Sequence, residues 1–174
     1  KALNVYLNHY ITEAFLVDPR ENSWLTDGLH TLLLMEYVDQ YYPDQKLLGA
    51  IPKQPLLRPF IKNYSLSKAS FNYGFLYFNE YVIRNNIQQS SFTTKSELIK
   101  FNERVAIPSH VAHGFRYAYE FHGKGKINNA IQSQIGKVQS KEELLESLEN
   151  QLNIPWLFED YLSKRNSIDL KFKS

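Results

Sequence analysis

The chain is predicted to fold as a mainly α-helical, multi-helix lobe, and three observations predict it. Apolar residues recur at spacings of three and four along several segments, which is the repeat of one helix face. Two tetrads, Thr94-Lys95-Ser96-Glu97 and Ser140-Lys141-Glu142-Glu143, precede apolar runs in the pattern of a capping box. Period-two alternation is confined to the tail, where Ile168, Leu170 and Phe172 alternate with Asp169, Lys171 and Lys173.

In chain order, Leu3, Leu7, Tyr10, Ile11, Ala14 and Phe15 give Ala2 to Val17 one apolar helical face. Pro19 disfavours helix at Asp18, so residues 18–22 read as a turn. A second helix is expected from about Trp24 to Tyr42, with Ser23 as its cap and Pro43 ending it. Residues 43–66 carry Pro43, Pro52, Pro55 and Pro59 and read as a long irregular loop. Its Lys46, Lys53, Arg58 and Lys62 read as solvated charges. Ser67 to Asn85 reads as a third helix whose aromatics, Phe71 to Tyr81, are expected in the core. The Thr94 box should start a helix through Leu98 and Phe101, and Pro108 suits the first turn of the next, which runs to about His122. Gly123-Lys124-Gly125 breaks that helix and is not a phosphate-binding loop, because the full motif is missing. The Ser140 box leads into Leu144, Leu145, Leu148 and Leu152, and Pro155 begins a short helix through Trp156, Phe158 and Tyr161. Residues 164–174 form a tail with a short strand-like stretch.

At 174 residues the chain suits one domain, 1–174, with aromatics enough (Tyr 12, Phe 11) to build a core. A net charge of +2 gives no reason to expect a nucleic-acid partner. With no cysteine, disulfides and thiolate zinc sites are ruled out. The apolar run Leu32–Met35 is far shorter than the ~20 residues of a bilayer-spanning helix, so no membrane insertion by this segment is expected. No secretory leader is read, and a start at Lys1 inside a helix leads us to expect a fragment of a larger chain. No serine or cysteine nucleophile constellation stands out.

The stretch Trp24-Leu25-Thr26-Asp27-Gly28-Leu29-His30-Thr31 resembles the Trp-Leu-x-Glu-Gly-Phe-Ala-Thr segment of gluzincin zinc aminopeptidases of the alanyl-aminopeptidase type. In order and spacing, most of the chain resembles the helical second lobe of that thermolysin-like catalytic domain, its C-terminal half. Val111-Ala112-His113-Gly114 resembles the family's Tyr-x-x-Gly segment, and Ile154 to Tyr161 resembles its closing segment. The resemblance implies a zinc peptidase fold in which the Glu of the first motif is the third zinc ligand, next to a helix bearing His-Glu-x-x-His.

The residues that would do the chemistry differ from the family's. Such a site needs three protein ligands, an open position for water, and a Glu as general base. Asp27 replaces the third-ligand Glu. His9, with 17 residues between it and Asp27, matches the second His. Val5 and Tyr6 then replace the first His and the general base. Valine cannot bind zinc, and a phenol with a pKa near ~10 is a poor base at neutral pH. Val111 replaces the oxyanion-stabilising Tyr, although His113 stands nearby. The resemblance therefore implies a catalytically degenerate domain with no cofactor and a scaffold or binding role. Its partners would be a peptide or other domains of the parent protein.

Two alternatives stay open. One is an active zinc aminopeptidase, its remaining ligands outside these residues or in a variant site of His9, Glu13 and Asp27; His9 and Glu13 share a helix face four residues apart. The simpler reading of that trio is a partly buried polar cluster, with Asp27 favoured by the helix dipole in a first turn. The other alternative is an unrelated helical interaction module, in which His9 and Asp27 share no cleft. Trp24 is expected as a packing anchor, His113 as a surface or capping residue, and Tyr6 and Tyr77 as cleft or packing residues. Proteins of the resembled type are often exported, so a bacterial, exported or periplasmic location is the expectation.

Overall fold

A computed structural model describes residues 2–47 and 68–163. They are mainly helical, with no strand among the described residues beyond one isolated antiparallel bridge between Lys46 and Ser70. The helices are α1 (Ala2–Ala14), α2 (Ser23–Tyr41), α3 (Tyr73–Arg84), α4 (Ile107–His122), α5 (Lys124–Gln132) and α6 (Lys141–Leu152). A π-helical turn, Asn102–Ala106, leads into α4, and a second, Trp156–Leu162, closes the described chain. The expected tail strand and most of the 43–66 loop lie outside the described residues.

Helix α4 is the central element, and its broadest contact is with α2. The two supply Leu25, Leu29, Leu32 and Met35 on one side and Val111, Ala112, Phe115 and Ala118 on the other, all buried. Glycine lets them approach closely. A Cβ at Gly28 would stand 2.4 Å from Val111 Cγ1, far inside carbon–carbon contact. A Cβ at Gly114 would stand 2.9 Å from Leu157 Cδ1 and from Tyr161 Cε1. The segments 24–31, 111–114 and 154–161 thus pack on one another in series.

The Ser140 capping box forms as expected: the Ser140 hydroxyl accepts from Glu143 N–H at 3.2 Å, and the Glu143 carboxylate accepts from Ser140 N–H at 2.8 Å. Leu144, Leu148 and Leu152 of α6 are fully buried, as their spacing predicts. Gly123 ends α4 with φ 84°, a left-handed backbone that favours glycine, and α5 begins at the next residue.

Other expectations need correction. Helix α1 stops at Ala14 rather than Val17. Ser23 lies inside α2 and is buried; Asn22 precedes the helix but makes no side-chain cap hydrogen bond. The Thr94 tetrad makes a turn instead of a helix start, with the Thr94 hydroxyl donating to the Glu97 carboxylate at 2.9 Å. Helical geometry resumes only near Lys100. Pro108, by contrast, stands in the first turn of α4 as expected, where the π-helical turn joins that helix. With no N–H and a ring that crowds the carbonyl four residues back, it suits a widened turn, in which Ile107 N–H reaches back to Asn102 O. Helix α3 starts at Tyr73, six residues later than expected, and its aromatics are not all core. Phe75 and Phe78 turn inward, while Tyr73, Leu76, Tyr77 and Tyr81 are exposed.

Candidate functional site

Two of the depressions that helix α2 borders hold residues singled out from the sequence. The first, about 430 Å³, opens where α1, α2 and the π-helical turn meet, and Val5, Asp27, His30, Lys95, Glu103 and Arg104 line much of it. Asp27 is the fifth residue of α2, so the expectation of a first-turn carboxylate on the helix dipole is corrected. Its carboxylate instead accepts from Lys95 Nζ at 3.2 Å. The connection between α3 and α4 brings that lysine in, and Lys95 N–H donates to Arg20 O at 3.0 Å to hold it there.

The proposed trio does not assemble. His9 Nδ1 and the Glu13 carboxylate stand 4.0 Å apart on the outer face of α1, at 77% and 71% side-chain exposure. The expectation of a partly buried cluster with Asp27 is therefore corrected. His9 does not line the depression, whereas Val5, one turn earlier, does. Tyr6 is exposed and stacks on Tyr10 at 6.3 Å between centroids. Among the described residues no group of three His, Cys, Asp or Glu side chains could hold a metal ion.

Val111, expected from the resemblance to replace an oxyanion-stabilising Tyr, is fully buried against Gly28 and does not border the depression. From α4 it is Pro108 that borders it. Trp24 is fully buried, with its ring edge-on to Phe92 at 5.1 Å, which makes it the packing anchor expected. Tyr77 lies on the outer side of α3 and lines neither depression.

The second depression, about 270 Å³, lies between α2, the start of α3 and α4. His113 lies in it at 7% exposure, which corrects the expectation of a surface residue. Its Nδ1–H donates to Ser109 O at 2.7 Å, and burial holds its pKa below the usual imidazole value. The ring is thus neutral near pH 7 and carries its lone pair on Nε2. Around it, Arg116 pairs with Asp39 at 2.9 Å. Asn72 Nδ2 donates to Asp39 Oδ1 at 2.7 Å and to Met35 O at 3.1 Å. These two bonds fix the amide orientation and leave Asn72 Oδ1 buried without a partner.

Sequence reasoning missed Asp39, Asn72, Arg116, Tyr117 and Glu120. One signal was available: His113, Arg116, Tyr117 and Glu120 fall at i, i+3, i+4 and i+7, a single helix face carrying polar groups. Asn72 gives no such signal, because a contact 37 residues away places it on Met35.

One turn below His113, His110 stacks on Tyr161 at 4.0 Å and donates from Nε2 to Tyr161 O at 2.8 Å. Burial lowers its pKa too, and raises those of Tyr161 and Tyr119, the latter to about 12.

Set against known proteins, the chain matches no family model, no curated protein and no solved structure.

Proposed function

We infer that this chain is a catalytically silent, peptidase-like helical domain that binds rather than cuts. One observation carries the reading: at the third-ligand position, Asp27 is already engaged by the Lys95 ammonium. A lysine cation there answers the carboxylate's charge without offering a Lewis-acid site or an activated water. Val5 on the neighbouring helix supplies no donor, and Val111 is buried against Gly28. The binding role draws on the exposed side of α3, where Tyr73, Leu76, Tyr77 and Tyr81 present apolar surface suited to a peptide or another domain of the parent protein.

Zinc content after mild purification, with hydrolysis of aminoacyl-arylamides, tests this. The expected result is no stoichiometric zinc and no turnover, in wild type and Asp27→Ala alike. Stoichiometric zinc with turnover abolished by Asp27→Ala overturns it in favour of an active zinc aminopeptidase. A second reading, a helical interaction module unrelated to peptidases, is favoured by the position of His9 outside the Asp27 depression. Extending the chain upstream of Lys1 separates the two: a complete amino-terminal peptidase lobe there supports the first, and its lack the second.

A further inference from the structure

We propose that the depression around His113 is a binding site for a primary ammonium group on a short alkyl stem. This inference does not rest on the peptidase-like reading, because the depression shares no lining residue with the one at Asp27.

The charges select the ligand. Arg116 and Asp39 face each other at 2.9 Å and neutralise one another, and Asn72 takes the other Asp39 oxygen. The guanidinium's charge is thus offset by a neighbouring carboxylate, which weakens its pull on a ligand anion. What remains is an acceptor set. His113 Nε2 has no hydrogen-bond partner among the described residues once Nδ1–H is spent on Ser109 O. The Glu120 carboxylate, two turns further along the same face of α4, has no partner among them either. Asn72, which is 9% exposed, adds a third acceptor with no partner, Oδ1, at the margin of the same depression.

A neutral imidazole acceptor and a free carboxylate together call for a donor with a positive charge and more than one hydrogen. An ammonium carries three donors and no acceptor. Its charge meets Glu120, which is the net charge left after Arg116 and Asp39 cancel. The walls fit the rest of the ligand. Tyr73 and Tyr117 present rings at the mouth, where an aromatic face attracts a cation, and Leu76 and Met35 offer apolar surface to an alkyl stem. A buried polar group left unsatisfied costs free energy, so an N–H that reaches Asn72 Oδ1 relieves a cost already built into the fold.

Such an ammonium comes either from a free diamine or from a lysine side chain of another protein. Isothermal titration calorimetry on the whole chain, with 1,5-diaminopentane and with N-acetyl-lysine methylamide, separates the sources. 1-Pentanol and glutarate serve as neutral and anionic counterparts. The expected result is saturable binding of at least one amine with a Kd at or below about 1 mM, and no saturation with the counterparts. Binding of the diamine alone identifies a small-molecule ligand; binding of the lysine derivative identifies a protein ligand. Glu120→Gln, a change at an exposed position, should weaken the amine roughly tenfold or more while leaving the far-ultraviolet circular dichroism unchanged. His113→Phe, which removes the acceptor and keeps an aromatic ring, should weaken it as well. Failure of both amines to saturate by about 10 mM overturns the proposal. So does equal binding of 1-pentanol, or unchanged affinity in folded Glu120→Gln.

Discussion

Gly28→Ala tests the close approach of α2 and α4 on which both depressions depend. The added methyl would lie 2.4 Å from Val111 Cγ1 and 2.8 Å from Val111 Cβ. Carbon pairs rest at about 3.5–4.0 Å, so roughly 1 Å must be found. Val111 is β-branched and held near one χ1 in a helix, so rotation offers little relief. Its Cβ moves only with the backbone of α4, and the two helices must part. Overpacking of this kind costs about 1–3 kcal/mol, and a clash with a near-backbone atom belongs at the upper end. Alanine's better helix propensity returns about 1 kcal/mol. The net expectation is a loss of about 2 kcal/mol, or a urea midpoint lower by about 1 M for an m-value near 2 kcal/mol/M. Gly125→Ala is the control: it lies in α5 with nothing within 4 Å of the new carbon, and should hold or raise the midpoint. Val111→Ala removes Cγ1 but keeps Cβ, so pairing it with Gly28→Ala should recover part of the loss through a coupling of about 1 kcal/mol. A Gly28→Ala midpoint equal to wild type, or strict additivity in the pair, would refute the packing argument.

Ser140→Ala removes one arm of a two-armed cap and should cost about 1 kcal/mol in the same urea assay, whereas Ser147→Ala in the body of α6 should cost less. His110 and His113 have folded-state pKa values held below the ordinary value near 6.5 by burial, so protonation favours the unfolded chain. Their stabilising effect is complete above about pH 6.5 and is lost as pH falls through that value toward the depressed ones. The urea midpoint should therefore drop between about pH 7.5 and about pH 5.5, and less so in His110→Gln. Lys95→Met leaves Asp27 without its cation, but both side chains are partly solvated; the expected loss is at most about 1 kcal/mol, and a much larger one would show a tighter pair than 3.2 Å implies.

The helical class was legible because it rests on local pattern. The Ser140 box states its own hydrogen bonds, and the leucines four apart after it went to the core as written. The failures share a cause in distant contacts. The Thr94 box has the same letters, yet Lys95 inside it is drawn away to Arg20 and Asp27, and the turn never propagates into a helix. Aromatic content alone did not say which side of α3 faces in; Phe101 takes Phe78 edge-on at 6.1 Å on the inward side. For the candidate site, the motif pointed to α2 and to Asp27, which lines the first depression. The depression around His113 was only half visible, since its α4 face is periodic while Asp39 and Asn72 arrive from elements far apart in sequence.

The stretch between α3 and α4 bears on how the chain is made. Lys95 reaches Asp27 across 68 positions, Ser91 N–H donates to Leu162 O, and Lys141 reaches Phe92 O across 49. A nascent chain presents this stretch well before Lys141 and Leu162 have left the ribosome. Two of these three anchors do not yet exist at that moment, so α1 and α2 must wait with Trp24 bare on the side that Phe92 later covers. Truncation before Leu162 should therefore trap a sticky, half-closed species rather than a smaller stable fold.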